Sequence, residues 1–152
     1  MPLTANRIHQ YLNEQEVGYT RLIHRRDDNA HQTSRGRRRL PNDFAQVVGL
    51  EADGRQFLAV LPADYYIDLP RLKQAMGVKQ LRVLPKHSLA TFFPDCEQGA
   101  FPPLGNLYGL SVIVDESLAD YQTITFNAGT PQESIQIDYD TFVRLTQPRV
   151  MD

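Results

Sequence analysis

The stretch FAQVVGLEADGRQFLAVL, residues 44–61, is the most informative part of this 152-residue chain for predicting its fold. It holds two runs typical of β-strands, residues 44–50 and residues 56–61, on either side of Asp53-Gly54. An Asp-Gly pair between such runs is a strong hairpin signal, because both residues tolerate the positive φ angles of a tight two-residue turn. The sequence therefore predicts a β-hairpin at this point.

Short strands and short helices are predicted on both sides of the hairpin. Apolar residues at helical spacing follow Thr4, an N-cap residue type, and Gly18 is the expected stop of this first helix. Further helices are predicted at 68–76, around 88–92 and after Asp138, and strands at 19–24, 81–84, 110–114, 122–126 and 134–137. The run 110–114 is continuously apolar, as expected of a central strand covered on both faces. Because the elements do not alternate strictly, the pattern predicts one α+β domain, residues 1–152, with a curved mixed β-sheet flanked by short helices.

The composition fits a soluble protein of one domain. A formal net charge of −2 argues against a generally basic surface for nucleic acid. Residues 1–94 nevertheless carry 14 Lys and Arg against 9 Asp and Glu, whereas residues 95–152 carry 2 against 9. No apolar run approaches the length of a membrane span, and a single cysteine excludes an internal disulfide framework. We expect a cytoplasmic protein with no membrane partner.

Metal and nucleophile chemistry have little support in the sequence. The four histidines lack the close, repeated spacing of a metal site, and His9 is expected on the solvated side of the first helix. Cys96 has no motif that marks a catalytic thiol. Neither a metal nor a cofactor is expected.

An arginine-rich segment, residues 25–43, breaks every helical or strand period and predicts a long exposed loop. Six arginines fall within residues 25–39, partly offset by Asp27, Asp28 and Asp43. Arg35, Arg37, Arg38 and Arg39 are the candidates for contacts with tRNA phosphates, each of which would add to the salt dependence of binding. The alternative is an ordinary solvated loop.

A second distinctive loop is Gly99-Ala100-Phe101-Pro102-Pro103-Leu104-Gly105, echoed downstream by Phe126-Asn127-Ala128-Gly129. Glycine at both ends permits positive φ and close approach of a ligand, while the two prolines fix φ and remove amide donors. Such a stiff loop suits a fixed pattern of N–H groups that faces an anionic or carbonyl-bearing ligand. The alternative is a connecting turn, since loops of this composition are common.

Taken in order, these motifs resemble the YbaK/EbsC family, which includes the editing domain associated with prolyl-tRNA synthetase. The likeness covers a strand that ends in His24, Thr33-Ser34, 44–50, the Asp-Gly hairpin, 59–64 leading to 67–69, 99–105, 112–118, 126–129 and 134–137. The resemblance implies a barrel-like mixed sheet flanked by helices. It also implies hydrolysis of mischarged aminoacyl-tRNA in trans, with the tRNA acceptor end and a small amino acid in a cleft. An aminoacyl-tRNA synthetase is the further partner implied.

The implied chemistry is ester hydrolysis, in which water attacks the aminoacyl carbonyl and fixed donors stabilise the oxyanion. The backbone amides near Gly99, Gly105 and Gly129 are the candidate donors. The side chains and backbone that the resemblance places along the substrate are His24, Thr33, Phe101, Pro102, Pro103, Asp115, Asn127 and Ala128. His31 competes with His24 for the same place in the alignment, and Asp115 and Asn127 have the alternative of capping turns.

Gln46 is the main departure from the family, which carries a lysine at this strand position. Glutamine keeps a hydrogen-bond donor but lacks the charge and the reach of an ammonium group. One alternative is an arginine of the loop that folds back to supply the charge. The others are a catalytically inactive module that binds tRNA or a protein partner, and a general oligonucleotide-binding protein that uses the arginine loop.

Overall fold

A computed structural model of the protein describes residues 3–23 and 42–151, with side chains from residue 7 onward. Within these ranges lie four α-helices: α1 (Leu3–Glu14), α2 (Leu69–Met76), α3 (Lys86–Leu89) and α4 (Tyr139–Thr146). The eight strands are β1 (Thr20–Ile23), β2 (Ala45–Ala52), β3 (Arg55–Pro62), β4 (Leu81–Val83), β5 (Ser111–Asp115), β6 (Thr123–Asn127), β7 (Glu133–Asp138) and β8 (Arg149–Met151). The mixed α+β class predicted from the sequence is confirmed.

The central hairpin is formed as predicted by β2 and β3. The two strands pair antiparallel from Ala45 opposite Pro62 to Ala52 opposite Arg55. Asp53 and Gly54 occupy the turn with φ angles of 49° and 83°, the left-handed values that a two-residue turn requires at both positions. Local chemistry therefore determines this element.

The predicted bounds of the helix at 68–76 are confirmed by α2, whereas the predicted stop of the first helix is wrong. Asp68 is the N-cap of α2, and its side chain accepts the amide N–H of Arg71. At the end of α1, however, the left-handed residue is Glu16 (φ 56°) and not Gly18. The amide of Val17 donates to the carbonyl of Leu12 at 2.9 Å, so backbone bonding closes the helix before Gly18 is reached.

The strands form two sheets. One is antiparallel with the order β1-β7-β6, and the other is mixed with the order β4-β2-β3-β5-β8, in which β5 pairs parallel to β3 and β8. The prediction that 110–114 is a central strand is confirmed, because Val112 and Val114 pack into the largest core cluster and Ile113 into another. Strand β8 was not predicted, since three residues give too short a pattern to detect.

The two sheets meet at the start of β2. Phe44 forms an isolated parallel bridge with Thr125 of β6, and the amide of Thr125 donates to the carbonyl of Asp43 at 3.0 Å. Where the sequence predicted one curved sheet, the described strands form two sheets joined at this point and no closed barrel. Phe44, just before β2, is bridged to β6, whereas residues 50–52 at the end of β2 pair with β4.

Of the predicted loop 25–43, residues 25–41 lie outside the described ranges, and 42–43 form a turn. No helix in the described part of the chain is long and apolar enough to cross a membrane.

Candidate active site

The loop 99–105 packs against the residues at the end of β6 and just after it. The amide of Gly129 donates to the carbonyl of Ala100 at 2.9 Å, and the amide of Glu97 donates to the carbonyl of Gly129 at 2.8 Å. The Asn127 side chain donates to the Gly99 carbonyl over 3.5 Å. The structure therefore brings the two motifs together through their backbones.

Two of the candidate oxyanion donors are engaged by this packing. Gly129 uses its amide on Ala100, and Ala128 donates its amide to the carbonyl of Glu133 at 3.0 Å. Residues 100–105 are buried, whereas Gly99 is exposed. Among the amides that were predicted to face an oxyanion, the N–H groups of Gly99 and Gly105 remain the candidates.

Gly99 and Gly105, at the two ends of the loop, are needed for different reasons. Gly99 has φ 91°, so it adopts the left-handed conformation that was expected. Gly105 does not adopt a positive φ; a Cβ there would lie 2.7 Å from the carbonyl oxygen of Leu110 and 2.8 Å from Cγ2 of Val112. Gly105 is therefore required by close packing inside the domain.

The loop side chains contribute to a hydrophobic core. Phe101 stacks on Phe93 with ring centroids 4.7 Å apart and is 5% exposed. It shares a cluster with Leu58, Leu89 and Leu110. Pro102 and Pro103 are buried beside it. The side chain of Phe101 thus has a packing role, whatever the loop backbone binds.

Gln46 lies near the start of β2 and uses its side chain within the protein. Its Nε2 lies 3.0 Å from the carbonyl oxygen of Pro62, 3.1 Å from that of Ala63 and 2.8 Å from that of Tyr65. Neighbouring side chains in a strand point to opposite faces. Val47 packs against the clusters that contain Leu104 and Phe101. The side chain of Gln46 therefore points away from the loop 99–105, on the other face of the sheet.

Two adjoining clefts open on the face to which Gln46 points. The first, of about 360 Å³, lies over β3 and β5 beside the start of α2, and the second, of about 410 Å³, lies beside Phe44 and the chain after β3. Tyr65 and Ser117 line both clefts. Asp68, Asp115 and Glu116 line the first, and Asp64 and Asp120 line the second. These clefts are therefore predominantly acidic, with Arg71 as the basic group in the first.

Asp115 lines the first cleft and also caps a turn. Its Oδ2 accepts the backbone N–H of Ser117 at 3.0 Å and the hydroxyl of the same residue. The capping alternative is thus realised, and the carboxylate is held at the cleft wall by it. Asp115 lies on the same side as Gln46, and Asn127 lies with the loop 99–105.

Several residues near these clefts carried no sequence signal. Tyr66 is 96% exposed, and Tyr65 and Tyr121 are also exposed. Tyrosine is enriched at binding interfaces, because its ring can bury apolar area there while the hydroxyl stays hydrated. Only the fold shows that these three line adjoining clefts.

The prediction that His9 is solvated is wrong. Its Nε2 lies 2.5 Å from a carboxylate oxygen of Glu133, and its Nδ1 lies 2.8 Å from the hydroxyl of Tyr19. Glu133 is 6% exposed and also accepts from Arg21. This cluster ties α1 to β1 and β7, which a helical pattern alone could not indicate.

Two oxygen atoms are among the described neighbours of the Cys96 thiol. Its Sγ lies 3.9 Å from a carboxylate oxygen of Asp95 and 3.8 Å from the hydroxyl of Tyr108. Burial raises the pKa of Tyr108 well above its usual range, and the neighbouring Cys96 contributes to the same shift. A thiolate is favoured by nearby positive charge, which neither of these neighbours supplies.

The remaining candidates lie outside the described residues. They are His24, Thr33, Arg35, Arg37, Arg38 and Arg39. In the part of the chain that is described, no three His, Cys, Asp or Glu side chains are grouped so that they could hold a metal ion.

Solved structures share this fold at low sequence identity. A candidate trans-editing enzyme for prolyl-tRNA synthetase superimposes with a TM-score of 0.80 at 17% identity, covering 100% of this chain and 97% of that one. A structure from work on epitope backbone grafting by computational design gives 0.76 at 19% identity, with 100% and 97% covered. A candidate signal transduction protein from Marinobacter aquaeolei VT8 gives 0.73 at 17% identity; the match covers 95% of this chain and 29% of that one.

Comparison with protein families gives a more specific result than these structures. A search of curated proteins found no match. The family model of the aminoacyl-tRNA editing domain matches residues 28–145, which include the hairpin, Gln46, the loop 99–105 and the end of β6. The match spans most of the chain, so the protein belongs to the aminoacyl-tRNA editing domain family.

Proposed function

We propose that the protein is an aminoacyl-tRNA deacylase that hydrolyses the ester of mischarged tRNA in trans. The observation that carries the proposal is the editing-domain match over residues 28–145. The substrate is the acceptor end of a tRNA charged with a small amino acid, and an aminoacyl-tRNA synthetase is the candidate partner. The fold shared with a candidate trans-editing enzyme for prolyl-tRNA synthetase supports the same interpretation.

The reaction needs a positioned water and fixed donors for the oxyanion. Loss of one such donor typically lowers kcat by about 10²–10³. The amides of Gly99 and Gly105 are the proposed donors, and Asn127 and Gly129 hold the loop through their bonds to Gly99 and Ala100. His24 and Thr33 are proposed to contact the substrate.

The distribution of charge bears on how tRNA would approach. The two clefts near Tyr65 are lined by five carboxylates and one arginine, a poor surface for phosphates. The arginines 35 and 37–39 are instead proposed to hold the phosphate backbone.

Neutralising Arg37, Arg38 and Arg39 together should weaken tRNA binding and lower the salt slope of log K by about 0.7–0.9 for each phosphate that these arginines neutralise. Arg82→Ala, which removes a surface pair with Glu51, is the matched control. An unchanged slope in the triple variant would contradict the assignment.

A second candidate function is a catalytically inactive module on the same fold. It is favoured by one observation: the side-chain amide of Gln46 is directed to three backbone carbonyls, and so is not held toward a substrate. Such a module would bind the acceptor end of tRNA, or a protein partner, without turnover.

The two functions are separated by measuring deacylation of tRNAs charged with proline, alanine, serine and cysteine. We expect slow release by the native protein; faster release by Gln46→Lys would show that the reaction takes place in the clefts on the Gln46 face and not at the loop 99–105. Gln56→Lys is the control, since Gln56 lies on the same hairpin and contacts Glu51 at its far end. Intact ester with native protein and Gln46→Lys alike, alongside tight tRNA binding, would establish the inactive module. Loss of existing activity in Gln46→Lys would show that Gln46 takes part in a different mechanism.

A further inference from the structure

Three backbone carbonyls converge on the side chain of Gln46. The carbonyl oxygens of Pro62, Ala63 and Tyr65 lie 2.8–3.1 Å from the single atom Nε2. We refer to these three oxygens as the carbonyl cradle. Pro62 is buried, Ala63 is half-buried and Tyr65 is exposed, so the cradle lies at the edge of the second cleft rather than in the core.

The cradle has three acceptor oxygens, whereas the side-chain amide of Gln46 has two N–H donors. A primary amide has two N–H groups, so Nε2 satisfies three carbonyls only by sharing one hydrogen between two of them. A primary ammonium has three N–H groups and no acceptor, which matches three converging oxygens. Its hydrogen bonds are also charge-assisted and about twice as strong as those of a neutral amide. The cradle is thus better matched to an ammonium than to the group it holds.

Charged groups around the cradle favour the same kind of ligand. Asp64 stands between Ala63 and Tyr65 in the chain and lines the second cleft together with them. Asp120 lines this cleft as well, and the lining includes no basic residue. A cation in the cradle would face three carbonyl dipoles at the edge of a cleft that carries two carboxylates.

We propose that the carbonyls of Pro62, Ala63 and Tyr65 form a binding site for a primary ammonium group, which Gln46 occupies with its neutral amide. Gln46 is then a positioning residue: it cross-links the start of β2 to the chain after β3, and so holds Tyr65 at the wall that the two clefts share. A lysine at position 46, whose side chain is one bond longer, would be retained by the same cradle. The inference does not depend on whether the protein hydrolyses an ester.

The first test opens the cradle with Gln46→Ala and refills it with methylammonium chloride. Tetramethylammonium chloride at equal concentration is the control, since it carries the same charge but no N–H donor. With about 0.5 M salt and a dissociation constant near 0.1 M, methylammonium should raise the Tm of Gln46→Ala by about 2–4 °C more than tetramethylammonium does. The native protein, and Gln56→Ala on the same hairpin, should respond equally to both salts. Equal responses of Gln46→Ala to the two salts would overturn the proposal.

A second test uses Gln46→Lys and Gln46→Met and needs no opened cavity. In Gln46→Lys, the Nζ protons should exchange slowly enough to give a ¹H–¹⁵N cross-peak that the other lysines lack, and Tyr65 should keep its native chemical shifts. Gln46→Met has similar length and no donor, so it should lower Tm by about 2–10 °C and shift the signals of Tyr65. A lysine signal like that of free lysine, together with a native Tm and native Tyr65 shifts in Gln46→Met, would refute both the cradle and the positioning role.

Discussion

Removal of the Asp43 carboxylate should destabilise the protein at the junction of the two sheets. One oxygen, Oδ2, accepts from Thr123 Oγ1 at 2.5 Å, from Thr125 Oγ1 at 2.9 Å and from Gln136 Nε2 at 3.1 Å. Asp43 is 7% exposed and Thr125 is fully buried. Asp43 therefore joins the start of β2 to β6 and β7 by side chains, beside the backbone bridge at Phe44.

The expected magnitude follows from these contacts. Asp43→Ala removes an acceptor that three polar groups share, of which, among the described contacts, only Gln136 has a second one in Thr125 Oγ1. The expected cost is about 3–5 kcal/mol, because hydrogen bonds to a charged group contribute about 1.5–3 kcal/mol each and do not add fully. At about 2–4 °C per kcal/mol for a chain of this size, Tm should fall by roughly 6–20 °C. Asp43→Asn keeps one acceptor oxygen without its charge, so its loss should be about half as large.

Urea unfolding followed by circular dichroism at neutral pH measures these losses directly. Asp120→Ala is the control, because Asp120 is exposed at the end of the short 3-10 helix that precedes β6; the stability of this variant should stay within about 0.5 kcal/mol of native. Equal stability of Asp43→Ala and Asp120→Ala would refute the reasoning, and so would a loss in Asp43→Asn as large as that in Asp43→Ala.

Three further predictions rest on other contacts. The amides of Gln80 and Lys79 hold the pKa of Asp53 below its usual 3.8, so its contribution to stability is present above pH about 4 and is lost as pH falls through the folded-state pKa. Asp53→Asn should therefore show a flatter loss of stability on acidification, measured as the urea midpoint from pH about 6 to 2; parallel curves would contradict this. Gly105→Ala should cost about 1–3 kcal/mol by overpacking, whereas Gly18→Ala, with open space around it, should change stability by less than about 1 kcal/mol; comparable thermal shifts would exclude the packing account. Glu133→Gln should cost about 1.5–3 kcal/mol in denaturant unfolding because it weakens the bond to His9, and no loss would show that this cluster is dispensable.

The elements of the fold were predictable where the signal was local. The Asp53-Gly54 turn, the bounds of α2 and the apolar run of β5 depend on a few neighbouring residues, whose conformational preferences act within one segment. Strand β8 was missed because it pairs parallel with β5 and is too short to show a period. The pairing joins two segments that are far apart in the sequence, so no local pattern indicates it.

The candidate site divides in the same way. Its loops were noticed from glycine and proline positions, whereas the packing of 99–105 against 127–129 is seen only in the structure. The requirement for glycine at position 105 was not predictable, because it comes from the carbonyl oxygen of Leu110, which leaves no room for a Cβ. The identity of residue 46 was likewise visible in the sequence, whereas the three carbonyls that hold its side chain were not.

The class of fold, the central hairpin and the family could be inferred from the sequence alone, because they follow from local conformational preferences and from ordered motifs along one chain. The positions of Gln46 and the loop 99–105 on opposite faces of a sheet, and the burial of the acceptors Asp43 and Glu133, are seen only in the folded chain. Strand pairing and burial bring together residues that are far apart in sequence, so the contacts of a buried polar side chain are set by the fold and not by its neighbours in the chain.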